Sequence, residues 1–412
     1  MKTKIYYSSA VLFFLLLVVG LNNIYAQWSQ WRGVNRDGIC HEDNLLKEWP
    51  VNGPKRLWAV NVVGESYSSA VVNENIVYTV GRIDSLEYLS ALDINGNTIW
   101  QKPFGRAHKG DFPESRCTPT IYKNMIYVFS VFGDFACLDS KTGDIKWKIC
   151  IKDKFGAIGN PVYQFCESPL VIDDKVIITT AGIQTTLVAL NYLTGETIWK
   201  SETLRDTCDY VSPIIIEYND RKMILASTAR YFFTADLNTG KIGSKINNLY
   251  GTLPILVNNT SIYCNDGQRG RLFSYDPQKN DFAFTWCDST SGSNYGGGVV
   301  VGDKIFESSR NPSIGLHAVN INTGKIAFSN KTIKESSLIA AKDRIYAYDN
   351  MNGKVYLVKL TDNNAEIVGS FRVTIGTGMH LAHMSIANGI LYIRHGKALM
   401  AYDIRQSSIA EK

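Results

Sequence analysis

One phrase recurs along this chain at intervals of about forty to fifty residues, the period of blade-type repeats, and it limits the possible folds more than any other feature. It reads ALDINGNTIW at 91–100, CLDSKTGDIKW at 137–147 and ALNYLTGETIW at 189–199, with weaker copies at 234–244, 273–286 and 318–328 and remnants in LVKLTDNNAEIVG and MAYDI. Aligned on the acidic position, the copies bring Asp93, Asp139, Asn191, Asp236, Asp276, Asn320, Leu360 and Asp403 into register. An Asp or Asn side chain ahead of a tight turn accepts hydrogen bonds from the amides that follow, and a glycine such as Gly143 or Gly195 supplies the positive φ. The tryptophans that close the phrase, Trp100, Trp147 and Trp199, are expected to cover apolar surface between neighbouring units, each worth about 2–3 kcal/mol of burial. Asp93, Asp139, Gly143, Gly195 and these rings are therefore read as scaffold.

Between the phrases, short alternating apolar runs bounded by turn residues fill the chain from about Leu57 onward, with no long helical period. Each unit holds four such runs, the first often opened by Ser-Pro or Thr-Pro. The fold expected is all-β: an eight-bladed β-propeller of four-stranded antiparallel blades. The last unit stops at its third strand, LMAYDI (399–404), whereas GPKRLWAVNV (53–62) is the end of a blade without a beginning. The N-terminal strand is expected to complete the last blade, which leaves no open edge.

Residues 1–26 read as a signal peptide: Lys2 and Lys4, an apolar AVLFFLLLVVG, and a small residue, Ala26, for cleavage. The organisation expected is signal peptide 1–26, an N-terminal lead 27–54, the propeller 55–405 and a tail 406–412, exported to the periplasm or beyond without a membrane anchor. Removing the signal takes two of the 43 basic residues and none of the 38 acids, an excess of three that gives no case for nucleic acid. The eight cysteines form no C-x-x-C and no adjacent pair, and several sit inside strand-like runs as apolar filler. No pairing follows from their spacing, and no metal set stands out.

The phrase A-x-D-x-x-T-G-x-x-x-W resembles the repeat of pyrroloquinoline quinone (PQQ) enzymes, which also builds non-enzymatic propellers such as the outer-membrane assembly lipoprotein of Gram-negative bacteria. The segment WSQWRGVNRDG (28–38) is similar to the start of exported bacterial proteins labelled polyvinyl-alcohol dehydrogenase-like, as are CTPTI, CESPLV and YGGGVV. For enzymatic members the resemblance implies PQQ held with calcium by carboxylate and amide oxygens, an acidic base, and a quinone sandwiched between a tryptophan and an adjacent-cysteine disulfide.

In a propeller the loops from one blade's last strand to the next blade's first surround the mouth of the central channel. Here they carry Glu114, Glu167, Asp209 and His383 as candidates for catalysis, and Arg116, Arg205, Tyr210, Tyr295 and His380 as a ligand-binding rim. His380 and His383, three apart, lack a second ligand cluster. None of these loops holds a tryptophan, and the glycines of SNYGGGVV are read as room for an inner strand to crowd the axis. The functional reading is a monomeric binding scaffold for a protein, peptide or glycan, with no cofactor; the alternatives are a PQQ- and calcium-dependent alcohol or sugar dehydrogenase and a glycan-processing accessory enzyme. Trp28 and Trp31 are expected to be buried as a fastener, the lead packing with Trp58 against the last and first blades, Asp37-Gly38 turning the chain and Arg32 pairing with a carboxylate.

Overall fold

A computed structural model describes residues 28–247, 249, 253–289 and 297–406. The signal segment and Tyr295 lie outside the described residues. Among those described, the strands form eight four-stranded antiparallel sheets, and one helical turn, Ile151–Phe155, follows the second blade. Each blade is a meander: the first runs Val71–Asn73, Ile76–Ile83, Leu86–Asp93 and Thr98–Arg106. The first strands of the blades stand beside one another around a central channel, and among the described residues no helix is long and apolar enough to cross a membrane.

The eighth blade takes strands from both ends of the chain. Lys55–Val60 pairs antiparallel with Ala398–Asp403, Lys55 opposite Asp403 and Val60 opposite Leu399. Arg394, fully buried in this blade, donates to Thr79 Oγ1 (2.9 Å), the Gly64 carbonyl (2.6 Å) and the Val63 carbonyl (3.3 Å) at the start of blade one.

The repeated phrase joins one blade to the next. Asp139 Oδ1 accepts from the amides of Lys141 and Thr142, and the Gly143 amide closes the turn on the Asp139 carbonyl. Asp93 and Asn191 cap their turns in the same way. Against each turn lies the tryptophan of the preceding blade: Trp100 on Gly143, Trp147 on Gly195, Trp199 on Gly240, Trp286 on Gly324 and, from the closing strand, Trp58 on Gly96. The indole N–H of Trp58 donates to the Ile94 carbonyl at 2.7 Å, and those of Trp147, Trp199 and Trp286 reach Tyr192, Leu237 and Ile321 at 2.7–3.2 Å. The glycine thus meets two demands at once. At Gly195, φ is +70° and a β-carbon would stand 2.7 Å from the Trp147 ring. Gly195→Ala combines left-handed strain with displacement of the indole and is expected to cost about 2–4 kcal/mol. Thermal unfolding followed by circular dichroism would show it, and a wild-type melting temperature would refute this account of the motif.

The lead departs from expectation. It is not confined to the last and first blades but enters the channel, and among the described residues its hydrogen bonds reach seven of the eight. Trp28 exchanges both backbone hydrogen bonds with Val72 of blade one at 3.0 Å, and the Ser29 carbonyl accepts from Ile121 of blade two. A compact turn follows in which Arg32, Gly33, Arg36 and Gly38 all have positive φ, and Asp37 Oδ1 caps the Ile39 amide. The chain then leaves along blade seven through Gly38, Cys40 and Ala340, and crosses blade eight through Asn44, Leu46 and Ile404. Trp49 packs against Tyr346 and Phe371 of blade seven. Val72, Ile121 and Ala340 are late positions of their inner strands, so the plug occupies the end of the channel away from the rim loops.

Both arginines of the turn are buried. Arg32 was expected to meet a carboxylate; it donates instead to the carbonyls of Asp37 (3.0 Å) and Gly298 (2.5 Å). A β-carbon at Gly297 would stand 2.6 Å from its guanidinium, so this glycine makes room for the lead. Arg36 spreads over three blades: Thr120 Oγ1, the carbonyls of Ser168 and Pro169, and the carbonyl of Pro213. Burial lowers the pKa of each to about 10, so both stay cationic at neutral pH. All eight cysteines are free thiols, four of them (Cys117, Cys137, Cys208, Cys264) in blade cores and Cys40 buried in the lead.

Candidate functional site

Because the lead fills one end of the channel, the other end is a blind pocket of about 310 Å³. Its walls come from the rim loops: Tyr67 ahead of blade one, Phe112 and Arg116 ahead of blade two, Tyr163 and Cys166 ahead of blade three, Tyr210 ahead of blade four, and Met379, Leu381 and His383 ahead of blade eight. Trp31 rises into it from the lead. The fastener reading therefore divides. Trp28 is 2% exposed in the core between blades one and eight, whereas Trp31 is half-buried and presents a ring to the pocket. The mouth has its tryptophan after all, supplied by a segment sixty or more residues away from most of the rim loops.

The base of the pocket is built from one position repeated in four blades. Ser69, Thr118, Ser168 and Ser212 open consecutive inner strands, and all are buried. Each blade's amide donates to the next blade's hydroxyl: Ser69 N to Thr118 Oγ1 (3.0 Å), Thr118 N to Ser168 Oγ (3.2 Å) and Ser168 N to Ser212 Oγ (2.9 Å). This sets the oxygens in an arc. Ser69 Oγ meets no hydrogen-bond partner among the described residues.

Above the arc the side chains are linked ring to ring. Phe112 and Tyr163 lie 5.3 Å apart, Tyr163 and Tyr210 meet edge-to-face at 6.0 Å, and Trp31 meets His383 at 5.6 Å. The Arg116 guanidinium sits over Tyr163 at 5.6 Å and Tyr67 at 6.0 Å, and donates to the carbonyls of Phe112 and Glu114. It both shapes the rim loop and places a cation beside the pocket.

Of the described residues chosen from sequence for the site, Arg116, Tyr210 and His383 come together on this lining, and Glu114, Glu167, Asp209, Arg205 and His380 stand off it. Glu114 is off the lining, its carboxylate 3.6 Å from Arg116. Glu167 turns inward and accepts from the Thr179 amide at 3.1 and 3.2 Å; burial pushes its pKa up to about 7. Asp209 is buried, with Oδ1 accepting from the Tyr210 amide. Arg205 is exposed, its carbonyl bonded to Arg230. His380 lies behind the rim, stacked on His395 at 3.8 Å and sharing a hydrogen bond between its Nδ1 and the Tyr348 hydroxyl at 2.6 Å; burial and His395 press its pKa down to about 4, so the ring is neutral. Tyr67, Phe112 and Tyr163 carry no sequence signal that marks them as site residues, and Trp31, read as a fastener, lines the pocket instead. The arc did leave a trace in the sequence, since Thr118, Ser168 and Ser212 are the residues of the Thr-Pro and Ser-Pro pairs that open the blades.

Calcium and PQQ, which the repeat's enzymes use, call for carboxylate oxygens at the mouth. Among the described residues no Asp or Glu lines this pocket, and no group of three His, Cys, Asp or Glu side chains is placed to hold a metal ion. The lining does not fit that pair of cofactors.

A family model described as outer membrane protein assembly factor BamB, a PQQ-repeat model, matches residues 85–330, more than half of the chain. The chain belongs to the PQQ-repeat family. No curated protein matches it in sequence. Among solved PQQ-repeat propellers, BamB from Moraxella catarrhalis superposes with a TM-score of 0.60 at 16% identity, over 85% of this chain and 97% of that one. The quinohemoprotein alcohol dehydrogenase from Comamonas testosteroni gives 0.63 at 12% identity over 92% and 80%. A europium-containing methanol dehydrogenase gives 0.64 at 10% identity over 92% of both chains. At these identities the likeness is one of fold, and it spans family members that are enzymes and one named for assembly.

Proposed function

We propose that this PQQ-repeat protein is an exported, monomeric binding module that recognises a protein, peptide or glycan through the loop-bearing face of its propeller. The observation that carries the reading is the blind pocket, which is walled by aromatic rings and based on hydroxyls. Such a lining orients a ligand with an apolar face and a few polar groups, the usual composition of a small-molecule or side-chain site. Among the described residues it offers no carboxylate to act as a base or to hold calcium, which counts against the dehydrogenase reading and leaves the glycan-processing one with His383 alone.

The test pairs two measurements on the purified protein. Glycan and peptide arrays probed with wild type are expected to give saturable hits that Tyr163→Ala and Tyr210→Ala abolish, with all three proteins folded. The same wild-type protein, given PQQ and calcium with alcohols and sugars, is expected to reduce no dye. Quinone-dependent dye reduction, or array binding indifferent to both substitutions, would overturn the reading.

A further inference from the structure

Resting on that binding role, we infer that the pocket takes a carboxylate-bearing pyranose, the uronic-acid unit of a glycan. Three features converge on this chemistry. The first is a surplus of hydroxyl donors at the base. Thr118, Ser168 and Ser212 each use an oxygen lone pair to accept a neighbouring amide, and among the described residues no acceptor takes their O–H protons. Ser69 Oγ, 1% exposed, has neither donor nor acceptor. Buried hydroxyls left in this state are costly unless a ligand supplies oxygen acceptors.

The second feature is charge. Arg116 is the cation on the lining, and among the described residues no acid lines the pocket to answer it. Glu114 lies 3.6 Å from the guanidinium but off the lining, so the ligand side presents hydroxyl donors and a guanidinium. Each hydroxyl keeps a free lone pair beside its proton and can meet any sugar oxygen, so it is the guanidinium that favours an oxyanion at one end of the ligand.

The third is shape. Trp31, Tyr163 and Tyr210 contribute aromatic rings to the lining of a space of about 310 Å³. The C–H face of a pyranose packs on such rings while its oxygens reach the base. The carboxylate then lies among the hydroxyls and Arg116, and the remainder of the glycan leaves through the mouth between Phe112 and Met379, both largely exposed.

Tryptophan fluorescence of wild type is read during titration with digalacturonate, with uncharged digalactose and with benzoate, and calorimetry follows the same titrations. Digalacturonate is expected to bind saturably and about tenfold or more tighter than the other two, with the fluorescence change absent in Trp31→Phe. Ser69→Ala is the decisive variant, because that hydroxyl has no hydrogen-bond partner among the described residues: its melting temperature is expected to match wild type while affinity for digalacturonate falls about tenfold, the equivalent of one hydrogen bond to a charged group. Equal affinity for digalactose overturns the carboxylate assignment, and equal affinity for benzoate overturns the sugar. Digalacturonate that fails to bind the folded protein overturns the inference; peptide hits lost in Tyr163→Ala would then leave the binding role standing, whereas quinone-dependent turnover would remove both.

Discussion

Arg36→Met is expected to unfold several degrees below wild type, the largest effect of any single substitution in the lead. The guanidinium donates to groups on blades two, three and four and, through Nε, to Gln30 Oε1 at 2.8 Å. Methionine fills similar volume but leaves the buried carbonyls of Ser168 and Pro213 without a donor and that of Pro169 with the Thr120 hydroxyl alone. Each orphaned acceptor costs roughly 1–3 kcal/mol before relaxation, so a net loss of about 3–5 kcal/mol is expected. Arg36→Lys keeps the charge but cannot span the carbonyls with one ammonium, and should recover only a minor part. Differential scanning calorimetry of the three proteins decides it. A methionine variant that melts with wild type would mean that the lead is a passenger in the channel. A second readout is local: Ser168 and Pro213 belong to the inner strands that carry the hydroxyl arc, so fluorescence from Trp31 should also change.

Stability is expected to fall as pH rises from 6.5 to 8, and three buried glutamates are the reason. Glu87, Glu167 and Glu307 each have a pKa pushed up to about 7, with burial the first cause in every case. Glu87 accepts from the Val131 amide at 2.6 Å, Glu167 from Thr179, and Glu307 from Tyr263 and Asn265 at 2.6 and 2.8 Å, bonds that only partly offset the loss of hydration. A carboxyl whose pKa is raised in the folded state holds its proton more tightly there than in the unfolded chain. Its contribution is therefore complete below the unfolded value near 4.5 and declines as pH rises through the folded value. His380 has the opposite sign, since its lowered pKa of about 4 makes stability rise with pH between about 4 and 6.5. Above 6.5 the remaining contribution of His380, and of His108 and His317, whose pKa burial also lowers, is small, and the glutamates dominate. Each should then remove about 1 kcal/mol by pH 8. Melting temperatures of wild type and of Glu87→Gln, Glu167→Gln and Glu307→Gln across this window test it: each glutamine should flatten the slope by about a third, and a slope unchanged in the triple variant would show that other groups set it.

The scaffold could be read from the sequence because its contacts are written in a repeat. Asp139, Gly143 and Trp147 recur with their spacing intact, and the same three interactions, an amide cap, a left-handed turn and a ring laid on the next blade's glycine, recur with them. The closing strand was legible by counting, since one blade lacked a fourth strand and one fragment lacked a blade. The path of the lead was not. Arginines are ordinarily surface residues, and Arg36 is satisfied by backbone carbonyls 132–177 positions away, which carry no side-chain signature. The candidate site was half legible for a related reason. Loop order places Arg116, Tyr210 and His383 at one mouth, where they share a lining, but it could not tell that Glu167 turns its carboxylate back to Thr179, or that His380 stacks behind the rim on His395.

The closing pairs Lys55 with Asp403 and Val60 with Leu399, and the position of Arg36 inside the ring, also set a timetable. A strand made early has to wait for partners made last, across nearly the whole length of the chain. Such a contact is slow to form, because the loop it closes is long. Until residues 398–403 arrive, seven blades form an open arc with an unpaired edge at each end, and the lead has no finished ring to occupy. Completion of the ring then depends on the arrival of the final blade. Protease resistance should appear abruptly at that moment and not blade by blade.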